Sequence, residues 1–266
     1  TAGLIIVLVS STLIQSTGHG LQWSAFGFAI YAAISWAQTI AVRDPVIFGL
    51  IFKCKALLFI ITGVAAALIK TGFWIIPYLQ RKHDLSATDI GVVMGGGHMV
   101  VGIIGIILGG IIADRLRIRT AKGKLYVALG GIVAATITTF IFLIVDQIVI
   151  AYAAILSSGL LFSMAVAPLM SSVNDLMLPR GRGTTTALYV MVTTLIGTGL
   201  GPYIVGLCSD TIAATGVNSG EALRQAMLWS LLGPVIGIVL IINAIRYIEA
   251  DESSLIDRAR GLGEPV

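Results

Sequence analysis

The sequence predicts an all-α, polytopic transmembrane helical bundle, and three observations carry that reading. Of the 266 residues, 57% are hydrophobic and only 11% are charged, whereas soluble domains are about 25% charged. The apolar residues are gathered into runs of about 20, the length that crosses a hydrocarbon core ~30 Å thick. The lysines and arginines stand in the short segments between those runs, as in loops retained on the cytoplasmic side of a bilayer. The formal charge of +4 is thus a property of loops and no nucleic-acid footprint. The lipid bilayer is the expected partner, and no nucleic acid is.

Taken in order, Thr1–Ser16 is apolar and ends at the turn signal Thr17-Gly18-His19-Gly20. Leu21–Val42 is a second apolar run, closed by Arg43-Asp44-Pro45. It either spans the membrane or lies in the interface as an amphipathic connector; apolar residues all round it favour a span. The chain opens on Thr1-Ala2-Gly3, in mid-pattern and without Met, which suggests an N-terminal truncation. It shows neither the basic n-region nor the small-residue cleavage site of a signal peptide.

Six clearer spans are predicted near Leu57–Leu79, Ile90–Ala113, Leu125–Val145, Ile148–Ser171, Thr185–Leu207 and Ala226–Tyr247. With the segment Gly109–Lys124 placed inside, the alternation puts thirteen of the seventeen lysines and arginines on the cytoplasmic side. The exceptions are Arg81, Lys82 and Arg224 outside, and Lys70 within a span. The outer loop Ser209–Glu221 holds two acids and no base. The C-terminus is then cytoplasmic.

The second of the six spans carries Gly91, Gly95, Gly102, Gly105 and Gly109, with Gly96 and Gly97 beside them. Small residues four apart let helix backbones approach closely in lipid; smooth contacts would also let helices rock past one another. Gly95-Gly96-Gly97 is no phosphate loop, since no strand precedes it and no P-loop lysine follows.

Ionisable groups inside spans are costly and mark cavities. Lys70 lies about 3 Å from the midpoint of its span at 1.5 Å per residue, and Trp74 and Tyr78 follow at i+4 and i+8 on the same face. That stripe reads either as a cavity wall, with Lys70 opposite an anionic substrate or a coupled carboxylate, or as a paired lysine with two packing aromatics. His98, in the next span, either carries a coupling proton or is bonded to backbone. Pro168, Pro202 and Pro234 mark kinks that lipid tolerates when neighbours satisfy the freed carbonyls. Cys54 and Cys208 fall on opposite faces, ~30 Å apart, too far for a disulfide. The three histidines show no metal-ligand spacing, and no Ser-His-Asp or paired-carboxylate set is present. No catalytic residue, metal or cofactor is expected.

Gly110-x-x-x-Asp114-Arg115, followed by Arg117, Arg119, Lys122 and Lys124, resembles the signature loop of the major facilitator superfamily. Trp74 to Ser86, with Pro77, Arg81 and His83, resembles the end of the seventh helix in its Spinster-like branch. Leu178 to Ala187 resembles the loop between the tenth and eleventh helices. Leu195 to Asp210, with Gly197, Gly201 and Gly206, resembles the eleventh helix and is the most specific match. Gly20–Pro45 is weakly similar to the sixth helix, leaving Thr1–Gly18 as a stub of the fifth. The segment Arg43–Lys55 departs from the pattern, being much shorter than the usual central loop, and the first four helices are absent.

The resemblance implies the C-terminal six-helix half of such a fold plus one or two preceding helices. Residues 1–45 would end the N-terminal half, 46–56 form a short cytoplasmic linker, 57–248 the six-helix bundle and 249–266 a cytoplasmic tail. It implies a secondary active transporter that moves a small organic or amphiphilic solute by alternating access, with a proton as candidate coupling ion. Lys70 leans the solute towards anions. Substrate would sit between the halves, so the missing N-terminal half is needed for a complete site. The expected location is a bacterial inner membrane. Cavity candidates are Lys70, Trp74, Tyr78 and His98; Gly110, Asp114, Arg115, Arg119, Asp175 and Arg182 form the cytoplasmic gate; Gly197, Gly201 and Gly206 pack helices. The family pattern also implies an Arg115–Asp175 ion pair, with Asp114 facing the N-terminus of the helix near Thr1 as a latch for the outward-open state. The rival readings are a polytopic membrane enzyme acting on lipid, for which no nucleophile or metal cluster is seen, and a channel subunit, for which no filter-like segment is seen.

Overall fold

The structure, a computed structural model, describes residues 2–69, 72–83 and 85–265. The described elements are helical, and they form two compact units, residues 1–54 with 254–266 and residues 55–253.

In the first unit, α1 (Ala2–Thr17) and α2 (Gly20–Arg43) make a hairpin. Gly18 turns it at φ +73°, a conformation a β-carbon would strain, and the Trp23 indole donates to Thr17 Oγ1 at 2.8 Å. The 24 residues of α2 are apolar and long enough to span a membrane, while α1 has 16. Next comes α3 (Pro45–Lys53), with Pro45 at its start and Asp44 accepting from the Ile47 N–H at 3.0 Å, both favoured ways to begin a helix. The tail returns to it as α13 (Leu255–Gly261), where Ala259 is fully buried and Leu262 rests against Gly49.

The second unit runs through α4 (Lys55–Ala67), a 3₁₀ turn at Gly72–Trp74, α5 (Ile75–His83), α6 (Ala87–Arg117), α7 (Gly123–Ile144) and α8 (Ile148–Asp175). It continues with α9 (Arg182–Val192), a π-helical stretch at Thr193–Leu200, α10 (Gly201–Ala213), α11 (Ser219–Ser230) and α12 (Leu232–Ser253). These join into six stretches long and apolar enough to cross a membrane, beginning at Lys55, Ala87, Gly123, Ile148, Pro179 and Ser219. They match the six predicted spans, but three of them are interrupted, each just ahead of a proline. Proline lacks an N–H, and its ring clashes with the carbonyl four residues back, so it sits most easily in a helix's first turn. Pro77, Pro202 and Pro234 each occupy the first turn of the helix that restarts after the interruption. Pro168 lies inside an uninterrupted α8.

Glycines set the spacing between helices. A β-carbon on Gly105 or Gly109 of α6 would collide with the Leu160 or Met164 backbone of α8. On Gly131 of α7 it would lie 2.6 Å from the Leu161 carbonyl oxygen of α8. On Gly237 of α12 it would lie 2.6 Å from the Gly63 carbonyl oxygen of α4. Gly91 and Gly110 of α6 have nothing within 4 Å, so a β-carbon fits at those two positions.

Charge fastens the helix ends. The last turns of α12 hold three acids, each with a different partner. Glu249 pairs with Lys122 at 3.0 Å, Asp251 accepts from the Ala56 N–H in the first turn of α4 at 2.7 Å, and Glu252 pairs with Arg117. A first-turn N–H has no partner within its own helix, so Asp251 supplies one from 195 positions away.

Two outcomes are expected of thermal melts in detergent. Gly109→Ala should lose about 1–3 kcal/mol by overpacking, whereas Gly91→Ala should be neutral or gain up to about 1 kcal/mol through helix propensity. A double-mutant cycle on Arg117→Ala and Glu252→Ala should return a coupling of about 0.5–1 kcal/mol that shrinks in high salt. Equal losses at Gly91 and Gly109, or additive charge mutants, would contradict these packing and pairing roles.

Candidate functional site

Beside the interruption between α4 and α5 lies a cavity of about 470 Å³, walled by α5 to α8. Most of its lining is apolar, including Ile75, Ile76 and Phe162, and its polar members include His98, Thr139, Ser158 and Ser163. Two of these are satisfied within the wall. Thr139 and Ser158 share a hydrogen bond at 2.6 Å, and Ser158 also donates to the Ala135 carbonyl at 3.1 Å.

His98 stands differently. Its Nδ1 lies 3.0 Å from the Met94 carbonyl oxygen, one turn back on α6. A carbonyl only accepts, so Nδ1 carries the hydrogen and Nε2 is left as the ring's second site for a proton or a hydrogen-bond donor. Gly159 of α8 makes room for the ring, since a β-carbon there would lie 3.0 Å from Cδ2. The backbone bond expected as one reading of His98 is present, and the residue lines the cavity as well.

Lys70 lies outside the described residues. Trp74 and Tyr78 do not share the cavity wall with His98. Their i+4 and i+8 spacing presupposes a continuous helix, and the chain instead ends α4 at Ala67 and restarts α5 at Ile75. Trp74 donates its indole N–H to the Pro202 carbonyl at 3.0 Å and fits over Gly206, where a β-carbon would lie 2.9 Å from the ring. Tyr78 is buried, edge-on to Phe142 at 5.4 Å, with its hydroxyl 3.4 Å from the Leu143 carbonyl oxygen. Gly197 and Gly201 press on Leu68 and Ile69, where α4 has just ended. All three packing glycines therefore bear on the broken helix.

At the Gly109–Lys124 end, the expected Arg115–Asp175 pair is not formed. Lys124 holds Asp175 at 2.5 Å and also donates to Ser171 Oγ at 2.7 Å. The reason is geometric. Both α6 and α7 pack on α8, but Lys124 in the first turn of α7 is turned to Asp175, whereas Arg115 of α6 is exposed. Arg117, about 200° further round the same helix, is the arginine that turns inward, to Glu252 and to the Ala121 carbonyl at 2.8 Å. Asp114 and Arg119 are exposed, and Gly110 leaves open space. Arg182 donates from Nε to the Asn174 carbonyl at 3.2 Å, and Thr186 donates to the Asn174 side chain at 3.1 Å. A cation is favourable at such a helix C-terminus.

The opposite end holds a second pocket of about 370 Å³, formed by the end of α5, the α7–α8 turn and the start of α11. Lys82 bridges the Val145 carbonyl and Asp146, both at 2.9 Å. The Lys82 ammonium bound to it holds the Asp146 carboxyl below the usual carboxylate range. Arg224 forks onto Glu221 with two bonds of 2.7 Å. The sequence places these bases outside the spans without pairing them; Lys82 and Asp146 each border a short interhelical turn, the one signal that could have joined them.

Known proteins resemble the chain in sequence and in fold. A family model for the Major Facilitator Superfamily matches residues 2–202. An MFS-type efflux pump of Mycolicibacterium smegmatis is 27% identical over 152 residues, 57% of this chain and 34% of that protein. Protein spinster homolog 3 of Danio rerio is 26% identical over 194 residues, 66% of this chain and 39% of that one. A solved bacterial homologue of the human lysosomal transporter Spinster, inward-facing and occupied, has a TM-score of 0.62 at 19% identity, covering 79% of this chain and 51% of its own. The inward-facing, unoccupied form gives 0.56 at 21% identity, over 81% and 50%. The chain thus spans between a third and two fifths of the curated relatives it matches, and about half of the solved ones. At these identities the solved structures attest the fold alone. The family match extends from α1 to α10 over apolar helices of membrane-crossing length, and the chain belongs to the Major Facilitator Superfamily.

Proposed function

We propose that the protein works in secondary active transport, moving a small organic or amphiphilic solute across the membrane by alternating access. The observation that carries this reading is the cavity beside a broken helix. In transporters, discontinuous helices border the binding site, because irregular backbone is tolerated at membrane depth only where it lines a cavity or is buried in protein. The largely apolar wall with His98 suits a solute that is mostly apolar with a hydrogen-bonding group. A second helical bundle facing this one would complete the wall. An efflux pump among the relatives supports outward movement, and Lys70 supports an anionic solute. His98 Nε2 is the proposed proton site. The basic bias of the Gly109–Lys124 segment supports placing it, with the C-terminal tail, in the cytoplasm of a bacterium.

Two experiments test this on the full-length protein. In proteoliposomes loaded with a candidate amphiphile, a proton gradient should accelerate flux, and His98→Ala should lower flux at least tenfold and abolish that acceleration while melting temperature is kept. Flux unaffected by His98→Ala would remove the cavity from the solute's path. Single cysteines at Thr120 and Ser219, in a background lacking Cys54 and Cys208, should be labelled from opposite sides of the membrane. Labelling from one side would overturn the orientation.

A further inference from the structure

The pocket between α5, the α7–α8 turn and α11 has one more cation than its carboxylates match. Lys82 is paired with Asp146 and Arg224 with Glu221, but Arg81 has no ion-pair partner among the described residues, and its side chain is exposed at the pocket wall. Arg81 is held at its base, with its Cβ side against Gly220. Asp146 offers the opposite charge. One carboxylate oxygen takes Lys82, yet the side chain is 93% exposed, so the group remains open to a second partner. Below the pocket, Phe140, Ile141 and Ile144 of α7 present exposed apolar surface, and Ile144 also lines the pocket.

An unmatched guanidinium, an open carboxylate and an apolar wall running away from both suit a group that carries a phosphate, an ammonium and an attached hydrocarbon. Guanidinium grips phosphate through paired hydrogen bonds, and a volume of about 370 Å³ admits such a headgroup. We propose that this pocket binds a zwitterionic phosphoethanolamine headgroup, with its phosphate on Arg81 and its ammonium on Asp146. The site is separate from the His98 cavity, so it stands or falls independently of the transport reading.

Native mass spectrometry of the full-length protein can decide it, with two lipids of the same acyl chains, one with a phosphoethanolamine headgroup and one with a phosphoglycerol headgroup. Arg81→Ala should lower occupancy by both lipids about tenfold. Asp146→Asn should lower the phosphoethanolamine lipid severalfold and leave the phosphoglycerol lipid unchanged, because only the first carries an ammonium. Both variants should melt like the wild type, since Arg81 is exposed and Lys82 keeps its bond to the Val145 carbonyl. Soluble phosphoethanolamine, titrated as a competitor, separates the sources: displacement of the lipid at millimolar concentration points to a free solute, and resistance points to the membrane lipid, with the headgroup chemistry supported either way. Unchanged occupancy in Arg81→Ala, or an unchanged ratio of the two lipids in Asp146→Asn, would overturn the proposal.

Discussion

A bilayer offers no water to a backbone group that has lost its partner, and three prolines here create that problem at Pro77, Pro202 and Pro234. Each removes a donor and pushes back the carbonyl of the preceding turn. Pro77 and Pro234 stand in the first turn of a helix that starts anew, whereas Pro202 follows a π-helical stretch that runs on into α10. The broken helices must then pack closely, and glycine makes that possible. Gly197, Gly201 and Gly206 let the chain around Pro202 lie against the end of α4 and against Trp74. Gly233 and Gly237 let α12 approach the carbonyls of Ala66 and Gly63. The Trp74 indole then gives the Pro202 carbonyl a donor. The interruptions, the glycines and the cavity beside His98 form one connected arrangement.

Uninterrupted helices hold this arrangement in place. α6, α7 and α8 are long, and they meet backbone to backbone at Gly105, Gly109 and Gly131. Helices separated by so little side chain cannot slide without collision, because packed interiors repack in discrete steps. His98 rides on α6 in this rigid group, whereas Ile75 and Ile76, across the cavity, ride on the restarted helix α5. The cavity thus has one wall on the long helices and one on the restarted helix α5, which Tyr78 and Lys82 tie to the end of α7.

Much of this was legible in the residue order. Runs of about 20 apolar residues locate the spans, because span length is imposed by the bilayer and not by partners. Pro77 was visible too, near the end of the predicted span Leu57–Leu79, and a proline there is a signal that a helix starts anew just ahead of it. The ion pairs were not legible. Arg115 and Arg117 are both basic residues at the end of α6, and which one turns inward depends on helix rotation that no loop sequence states. Glu249, Asp251 and Glu252 lie past the last long apolar run and so read as tail, yet α12 carries them as its final turns. His98 could be singled out as an ionisable group in a span, but the room for its ring comes from Gly159 on another helix.

The bond from Ala56 to Asp251 also has a consequence in time. At about 5–20 residues per second of synthesis, a partner 195 positions downstream reaches the membrane roughly 10–40 seconds after the group it completes. Throughout that interval α4 is present with its first-turn donor unmet, and Arg117 and Lys122 wait likewise for Glu252 and Glu249. The second unit is therefore left unfinished until its last helix is made. Quality-control proteases that survey unassembled membrane helices would meet the same open end in any chain that stalls before Glu249.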